Sequence, residues 1–493
     1  MSRLRVVAAL LLRAAAGSSS SSSSSSAPPP PPPSVASPVG APRAPPLAGF
    51  GNEIVFQNTG DAQLGAALAA AGSALQRFPG GTPADYFDLR AGWLLSPTGP
   101  GCGGCDALPR RAAPPAALAG YLGATRQRAV LVVNQLTAGL DDALAGLRAE
   151  AAAGVRVEML EMGNEMFDAT RADVLAAYPQ PADYARKMAN WSDALAAAFP
   201  AARIAWVGLA NDWDARTRAW NAEVFPLAPA SVSAATVHLY PGLPPLNLTD
   251  ASQYPALLAG LFPLLGQYRD YTDASIPARL RIWVTEWGTW STSPAARNTW
   301  LQALWHVALS AQLPTALPRL DVLLPYCAVC GDPQMPSFTT DEFGPIVPPN
   351  VTMAPGAWRR TASGHGYALL LAPLYGAVAL QGLSFLPNAV LDPATPGSVA
   401  LVGLRTLDAA GHASAVVLVN LGAAAAALDL SPSLSGAPAA CASTWAPANA
   451  TDAARAGIRV EELAHQEAAV GADGALALPP YAIAVVSAGA CGA

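Results

Sequence analysis

An alternation constrains this chain more than any other feature. From residue 49 to about 375, short apolar runs take turns with Ala- and Leu-rich stretches of helical spacing. The strand-like runs are 51–58, 73–81, 129–136, 155–165, 203–211, 235–242, 281–288 and 321–329. The helical stretches are 61–72, 114–127, 137–154, 181–199, 252–270, 297–311 and 358–375. Strands that are apolar throughout must be covered on both faces, and helical crossovers between parallel strands provide that cover. Eight such units over roughly 325 residues predict a closed (β/α)8 barrel, whose site lies at the C-terminal ends of its strands. A doubly wound open sheet is the rival, but no G-x-G-x-x-G follows the first strand.

After residue 376 the helical spacing stops. The runs ALVGLRTL, HASAVVLVNL and ALALPPYAIAVVS, with Gly, Pro, Asp and Ser between them, read as strands of a separate domain. The expected fold is therefore α/β: a (β/α)8 TIM barrel over 49–375 and a C-terminal all-β sandwich over 376–493. Residues 1–48 read as a leader and linker. Arg3 and Arg5 precede a short apolar run, unbroken Ser and Pro tracts follow, and no Asp or Glu precedes Glu53. This pattern suits a secretory signal, or alternatively an organelle transit peptide.

Only 13% of the 493 residues are charged, against about 25% in a typical soluble protein. A membrane span must therefore be weighed. Residues 368–386 carry no charge, but Pro373, Gly376, Gln381 and Gly382 interrupt them, so a buried helix followed by a strand is expected. The net charge of −6 leaves no basic footprint for nucleic acid. Four sequons, at Asn190, Asn247, Asn350 and Asn449, and an even count of six cysteines favour the secretory route and an extracellular or cell-wall location. Cys441 and Cys491 bracket the C-terminal region and suit a disulfide. Cys102-Gly-Gly-Cys105 and Cys327-Ala-Val-Cys330 sit on loops after strands two and eight. A four-thiolate zinc site would suit a reducing compartment, and disulfides an oxidising one.

The few charges inside the barrel segment carry the chemistry. Glu165 closes the fourth strand and Glu286 the seventh, and both tips face one pocket in a barrel. Cleavage of a glycosidic bond needs two such carboxyl groups, one to protonate the leaving oxygen and one to attack or to activate water. That chemistry needs neither metal nor cofactor. Glu161 and Glu165 lie four positions apart on one predicted strand and point to the same side, so a buried Glu161 needs a partner. Arg77 either pairs with Glu161 or sits beside Glu286 and keeps it ionised. Asn164 either holds a sugar hydroxyl or satisfies backbone groups at the strand end. Trp287, Trp290 and Trp93 are candidates for stacking on sugar faces, with core packing as the alternative.

The motifs Glu161-Met-Gly-Asn-Glu165, Arg77-Phe-Pro-Gly-Gly-Thr82, His238-Leu-Tyr240, Asn134 at the end of strand three and Leu478-Pro-Pro-Tyr-Ala-Ile occur in a telling order. In that order they resemble the clan of retaining (β/α)8 glycoside hydrolases, closest to the heparanase/β-glucuronidase and α-L-arabinofuranosidase families. The resemblance implies that Glu165 is the acid/base, with a raised pKa, and Glu286 the nucleophile. It implies that Tyr240 approaches the nucleophile, and that Arg77, Asn134, Asn164, His238, Tyr240 and Trp287 line a carbohydrate site. A poly- or oligosaccharide is the expected partner. A carbohydrate-binding or cell-wall protein that kept the fold without turnover is the alternative, and the presence of both carboxylates argues against it.

Overall fold

The computed structural model describes residues 33–51, 62–94, 113–241, 262–288, 299–326, 338–339, 359–386, 401–434, 440–455, 458, 460–471, 473–489 and 491. Eight parallel strands close into a barrel in chain order: Leu47–Phe50, Leu75–Phe78, Arg128–Val132, Met159–Met162, Arg203–Val207, Val232–Leu239, Arg281–Trp287 and Leu320–Leu323. They are numbered one to eight below. Strand eight pairs with strand one, at Val322 with Leu47, and completes the closure. The expected run at 51–58 lies almost wholly outside the described residues. The first strand is the preceding Leu47–Phe50, whose last three residues are buried.

A helix follows each strand: Ala62–Ala70, Pro115–Thr125, Leu140–Ala152, Pro181–Ala198, Ala215–Val224, Phe262–Ser275, Trp300–Ala316 and Ala362–Tyr375. Pro181–Ala198 illustrates why. Pro181 opens it, where a missing N–H costs nothing, and the Asp183 carboxylate accepts the Gln180 N–H at 2.9 Å. Tyr184, Met188, Trp191 and Leu195 recur at three- and four-residue intervals and are buried on the face against the sheet. Each such side chain stabilises the fold by about 1.5–3 kcal/mol. The charge-free run at 368–386 divides as expected into the end of the last helix and the strand Ala379–Leu386. Among the described residues no helix is long and apolar enough to cross a membrane.

The C-terminal region is all-β. Its nine strands form one continuous ladder in the order Ala464–Val470, Ala440–Ala446, Ile483–Ala488, Ala413–Asn420, Leu401–Leu407, Ala379–Leu386, Ser34–Arg43, Ala426–Asp429 and Ala475–Leu478. One apolar core draws on Ala440 and Val470 near one edge, Leu428 and Leu478 near the other, and Val416 and Phe385 between them. The sheet therefore coils until its two ends share a core. Cys441 and Cys491 form the expected disulfide at this end of the chain.

The boundary expected at residue 48 is corrected. Ser34–Arg43 is a strand of the C-terminal sheet, antiparallel to Ala379–Leu386, and Ala36 is fully buried in that core. The segment reads as linker because it follows the unbroken Ser and Pro tracts, and its own Pro38 and Pro42 are residues that strand interiors exclude. On its other side, however, the strand pairs only through Ser34 and Val35. Beyond Val35 that side makes no further strand pairing among the described residues, and a missing N–H there costs no ladder bond. The β domain docks on helices seven and eight. Trp300 Nε1 donates to the Tyr481 carbonyl at 2.7 Å, and Tyr481 and Ile483 belong to the barrel's own core.

Candidate active site

The barrel interior is built in layers. Leu75, Val130, Met159, Ala205, Ala234, Trp283 and Val322, from strands two to eight, form an apolar plug of one large indole among smaller side chains. Two residues further along, the strand period brings the next inward side chains: Arg77 above Leu75, Glu161 above Met159, and Thr236 then His238 above Ala234. Charge thus begins one layer above the plug, at the C-terminal end.

Strand seven departs from the period where it matters. Val284 pairs with Val237 but Glu286 pairs with His238, so Thr285 is an extra residue in the ladder. A regular strand would turn Thr285 and Glu286 to opposite faces. The bulge aims both inward. Thr285 Oγ1 donates to Glu161 Oε1 at 2.9 Å. Glu286 accepts from Arg77 Nη1 through Oε1, and from the Tyr240 hydroxyl through Oε2 at 2.5 Å. Trp287 then turns away from the pocket. It is 1% exposed and packs edge-on against His306, with ring centroids 4.9 Å apart, and against Tyr367 at 5.9 Å. It is a buttress behind Glu286 and not a platform for sugar, which corrects that expectation.

Strand four ends early, at Met162 instead of residue 165. Gly163 at φ +87° and Glu165 at φ +50° make a left-handed turn. Glycine suits 163, where φ +87° would strain any L side chain and a Cβ would push against the Gln135 side chain. Strand alternation therefore does not relate Glu161 to Glu165. The turn swings the Glu165 carboxylate to His238, with Oε1 2.9 Å from Nδ1. One carboxylate oxygen each of Glu165 and Glu286 and a ring nitrogen of His238 all lie within 4.8 Å of one another. Such a trio could ligate a cation. Both oxygens of Glu286 already accept hydrogen bonds, however, which suits an acid–nucleophile pair better.

The electrostatics differ sharply across this small space. Burial works against the Arg77 cation, but Glu161 and Glu286 outweigh it and hold the guanidinium charged. Burial likewise pushes Glu161 up, and the Arg77 charge with the His238 and Arg77 hydrogen bonds overcomes it, leaving Glu161 at about 2. His238 loses to burial but gains from Glu286, Glu161 and Glu165, and stands at about 10. Glu165 was expected to be raised. Burial does raise it, but the hydrogen bond and charge of His238, then Arg77 and Arg171, hold it below the usual carboxylate range. In this arrangement the proton of the pair rests on His238.

Of the sequence-derived candidates, Arg77, Asn164, Glu165, His238, Tyr240 and Glu286 converge here. Arg77 meets both of its expected partners: Nε donates to Glu161 at 2.7 Å while Nη1 reaches Glu286. Its Nη2 also donates to Asn164 Oδ1 at 2.8 Å. Asn134 is not among them. Its Nδ2 donates to the Phe87 carbonyl at 3.2 Å and to Thr137 Oγ1 at 2.9 Å, and its Oδ1 accepts the Thr137 N–H at 3.0 Å. It braces a loop. Trp93 is 47% exposed on the loop after strand two. Trp290, Cys102, Cys105, Cys327 and Cys330 lie outside the described residues. Sequence reading missed Thr285, because an unbulged strand with Glu286 facing inward would turn its neighbour Thr285 outward. It also missed Asp85 and Arg171, which no motif marks.

Neither a protein-family model nor a curated protein sequence matches the chain. Solved structures do share its fold. A family 51 α-L-arabinofuranosidase from Bifidobacterium longum superposes with a TM-score of 0.67 at 17% identity, over 92% of this chain and 97% of that one. An α-L-arabinofuranosidase from Thermotoga maritima gives 0.65 at 13% identity, over 92% and 99%. A 4-O-α-L-rhamnosyl-β-D-glucuronidase from Fusarium oxysporum gives 0.59 at 14% identity, over 92% and 98%. At these identities the likeness is one of fold, a barrel with an attached β domain.

Proposed function

We propose that the chain is a retaining glycoside hydrolase in which Glu286 is the nucleophile and Glu165 the acid/base. One observation carries the reading: carboxylate oxygens of the two residues lie within 4.8 Å of each other, at the tips of strands four and seven. Retention needs a separation of about 5–5.5 Å, and inversion needs about 6.5–9.5 Å to admit a water. The kinship in fold with arabinofuranosidases and a glucuronidase supports the class of reaction.

The environments suggest the division of roles. Glu286, held by Arg77 and Tyr240, attacks the anomeric carbon as a carboxylate and becomes a glycosyl ester. The bond to the leaving oxygen breaks as that oxygen takes a proton from Glu165. Glu165 receives this proton from His238, across the 2.9 Å hydrogen bond. Glu286 is the largest influence raising the pKa of His238. Esterification removes that charge and loosens the proton at the moment it is needed. Water then enters and attacks the ester as Glu165 takes its proton, Glu286 leaves as a carboxylate, and the proton returns from Glu165 to His238 across the same hydrogen bond. With its Oδ1 on Arg77, Asn164 has its amide N–H2 to offer a sugar hydroxyl. We also propose secretion, which the Cys441–Cys491 disulfide supports.

A panel of nitrophenyl glycosides tests the reading: α-L-arabinofuranoside, β-D-xyloside, β-D-glucuronide and β-D-glucoside, each run beside Glu286→Gln. Turnover of at least one by the native chain alone is expected, and that one names the sugar. Inactivity across the panel, or equal activity in the variant, would overturn it.

A further inference from the structure

The turn that presents Glu165 is held from outside the catalytic layer. Asp85, fully buried, sits in the turn Thr82–Tyr86 that follows strand two. Its Oδ2 accepts from Arg171 Nη1 at 2.7 Å, and its Oδ1 accepts the backbone N–H of Asn164 at 3.1 Å. Arg171 Nη1 also reaches the Asn164 carbonyl at 3.4 Å. Arg171 is itself 6% exposed, and its Nη2 meets the Tyr86 hydroxyl and Asp173 at 3.5 Å each. One ion pair therefore grips Asn164 on both sides, by its N–H and by its C=O.

The second grip matters most. Rotation about φ of Glu165 turns the peptide plane that carries the Asn164 carbonyl. That φ is +50°, a region an L residue with a full side chain occupies only when its surroundings impose it. Fixing the carbonyl fixes the plane, and the plane fixes where the carboxylate leaves the backbone. Neither Asp85 nor Arg171 hydrogen-bonds to the carboxylate of Glu165 or Glu286. We infer that Asp85 and Arg171 are positioning residues that hold the acid/base Glu165 in its left-handed turn, so that the loop after strand two sets proton delivery to the leaving group. The inference rests on the proposed role of Glu165.

The role separates from mere structural support by its dependence on the leaving group. Departure of a good leaving group needs little protonation, whereas a poor one needs a well-placed acid. Asp85→Ala and Arg171→Met are expected to slow kcat on aryl glycosides with poor leaving groups by about tenfold to a hundredfold, a part of the ~10²–10⁴ that general acid catalysis supplies in full. On 2,4-dinitrophenyl glycosides the loss stays within about threefold. Asp85→Asn keeps an acceptor for the Asn164 N–H and is expected to fall between these variants and the native chain. It also serves if Asp85→Ala does not fold. Equal losses on all leaving groups, or no loss, would overturn the inference. Glu165→Ala in the same series keeps the two readings apart. If it shows no leaving-group dependence, the role of Glu165 falls. If it does and the Asp85 and Arg171 variants do not, only this inference falls.

Discussion

The tips of strands four and seven hold the same chemical group in opposite ways. Glu286 stays on its ladder, aimed by one extra residue, with each oxygen bound and only 5% of the residue exposed. Glu165 has left its ladder, sits on a left-handed turn and keeps 28% of its side chain exposed. Its named side-chain partner is a histidine that can hold or release a proton. A nucleophile must keep its charge, and fixed donors do that. An acid must exchange a proton with ligand and water, and a half-open site beside a titratable neighbour does that. The difference between the tips therefore divides the labour of the pair.

Substitutions can break this contrast. Glu286→Gln removes the attacking carboxylate and should lower kcat by about 10⁴-fold or more. Glu165→Ala should cost about 10²–10⁴ on poor leaving groups and far less on good ones, read from kcat across an aryl series. Arg77→Met leaves Glu161 and Glu286 buried without their cation. Chemical denaturation should show a loss of about 3–5 kcal/mol, since breaking a buried pair strands its partner.

The next effect is one of pH. His238 rises from 6.5 to about 10 on folding, so its contribution to stability is full below about 6.5 and is lost as pH climbs through 10. His238→Gln should flatten that alkaline decline in thermal melts. Glu161 acts in the other direction. It is lowered from 4.5 to about 2, so its contribution is present above 4.5 and is lost as pH falls towards 2. Asn134→Ala marks the lower end: about 1–2 kcal/mol of stability from the lost loop hydrogen bonds, with kcat within about twofold.

Much of this was legible in the sequence, and the failures share a cause. The barrel follows from strand and helix periods, and the tip carboxylates follow from where those periods end. Periodicity failed where the backbone departs from it. The bulge at Thr285 turned Glu286 inward beside Thr285, and Trp287 outward. The turn at Gly163 ended strand four three residues before Glu165. Ser34–Arg43 was hidden because it continues from the Ser and Pro tracts, and its partner strand Ala379–Leu386 lies more than 300 residues away. Asp85 and Arg171 lie 86 positions apart and meet only through the fold.

The central claim is that Glu286 attacks and Glu165 does not. A 2-deoxy-2-fluoro glycoside of the sugar that the panel identifies, carrying a good leaving group, tests it through peptide mass spectrometry of the inactivated protein. The account predicts one added fluorosugar, on the peptide bearing Glu286. A label on Glu165, or release of an inverted product without any label, would contradict it.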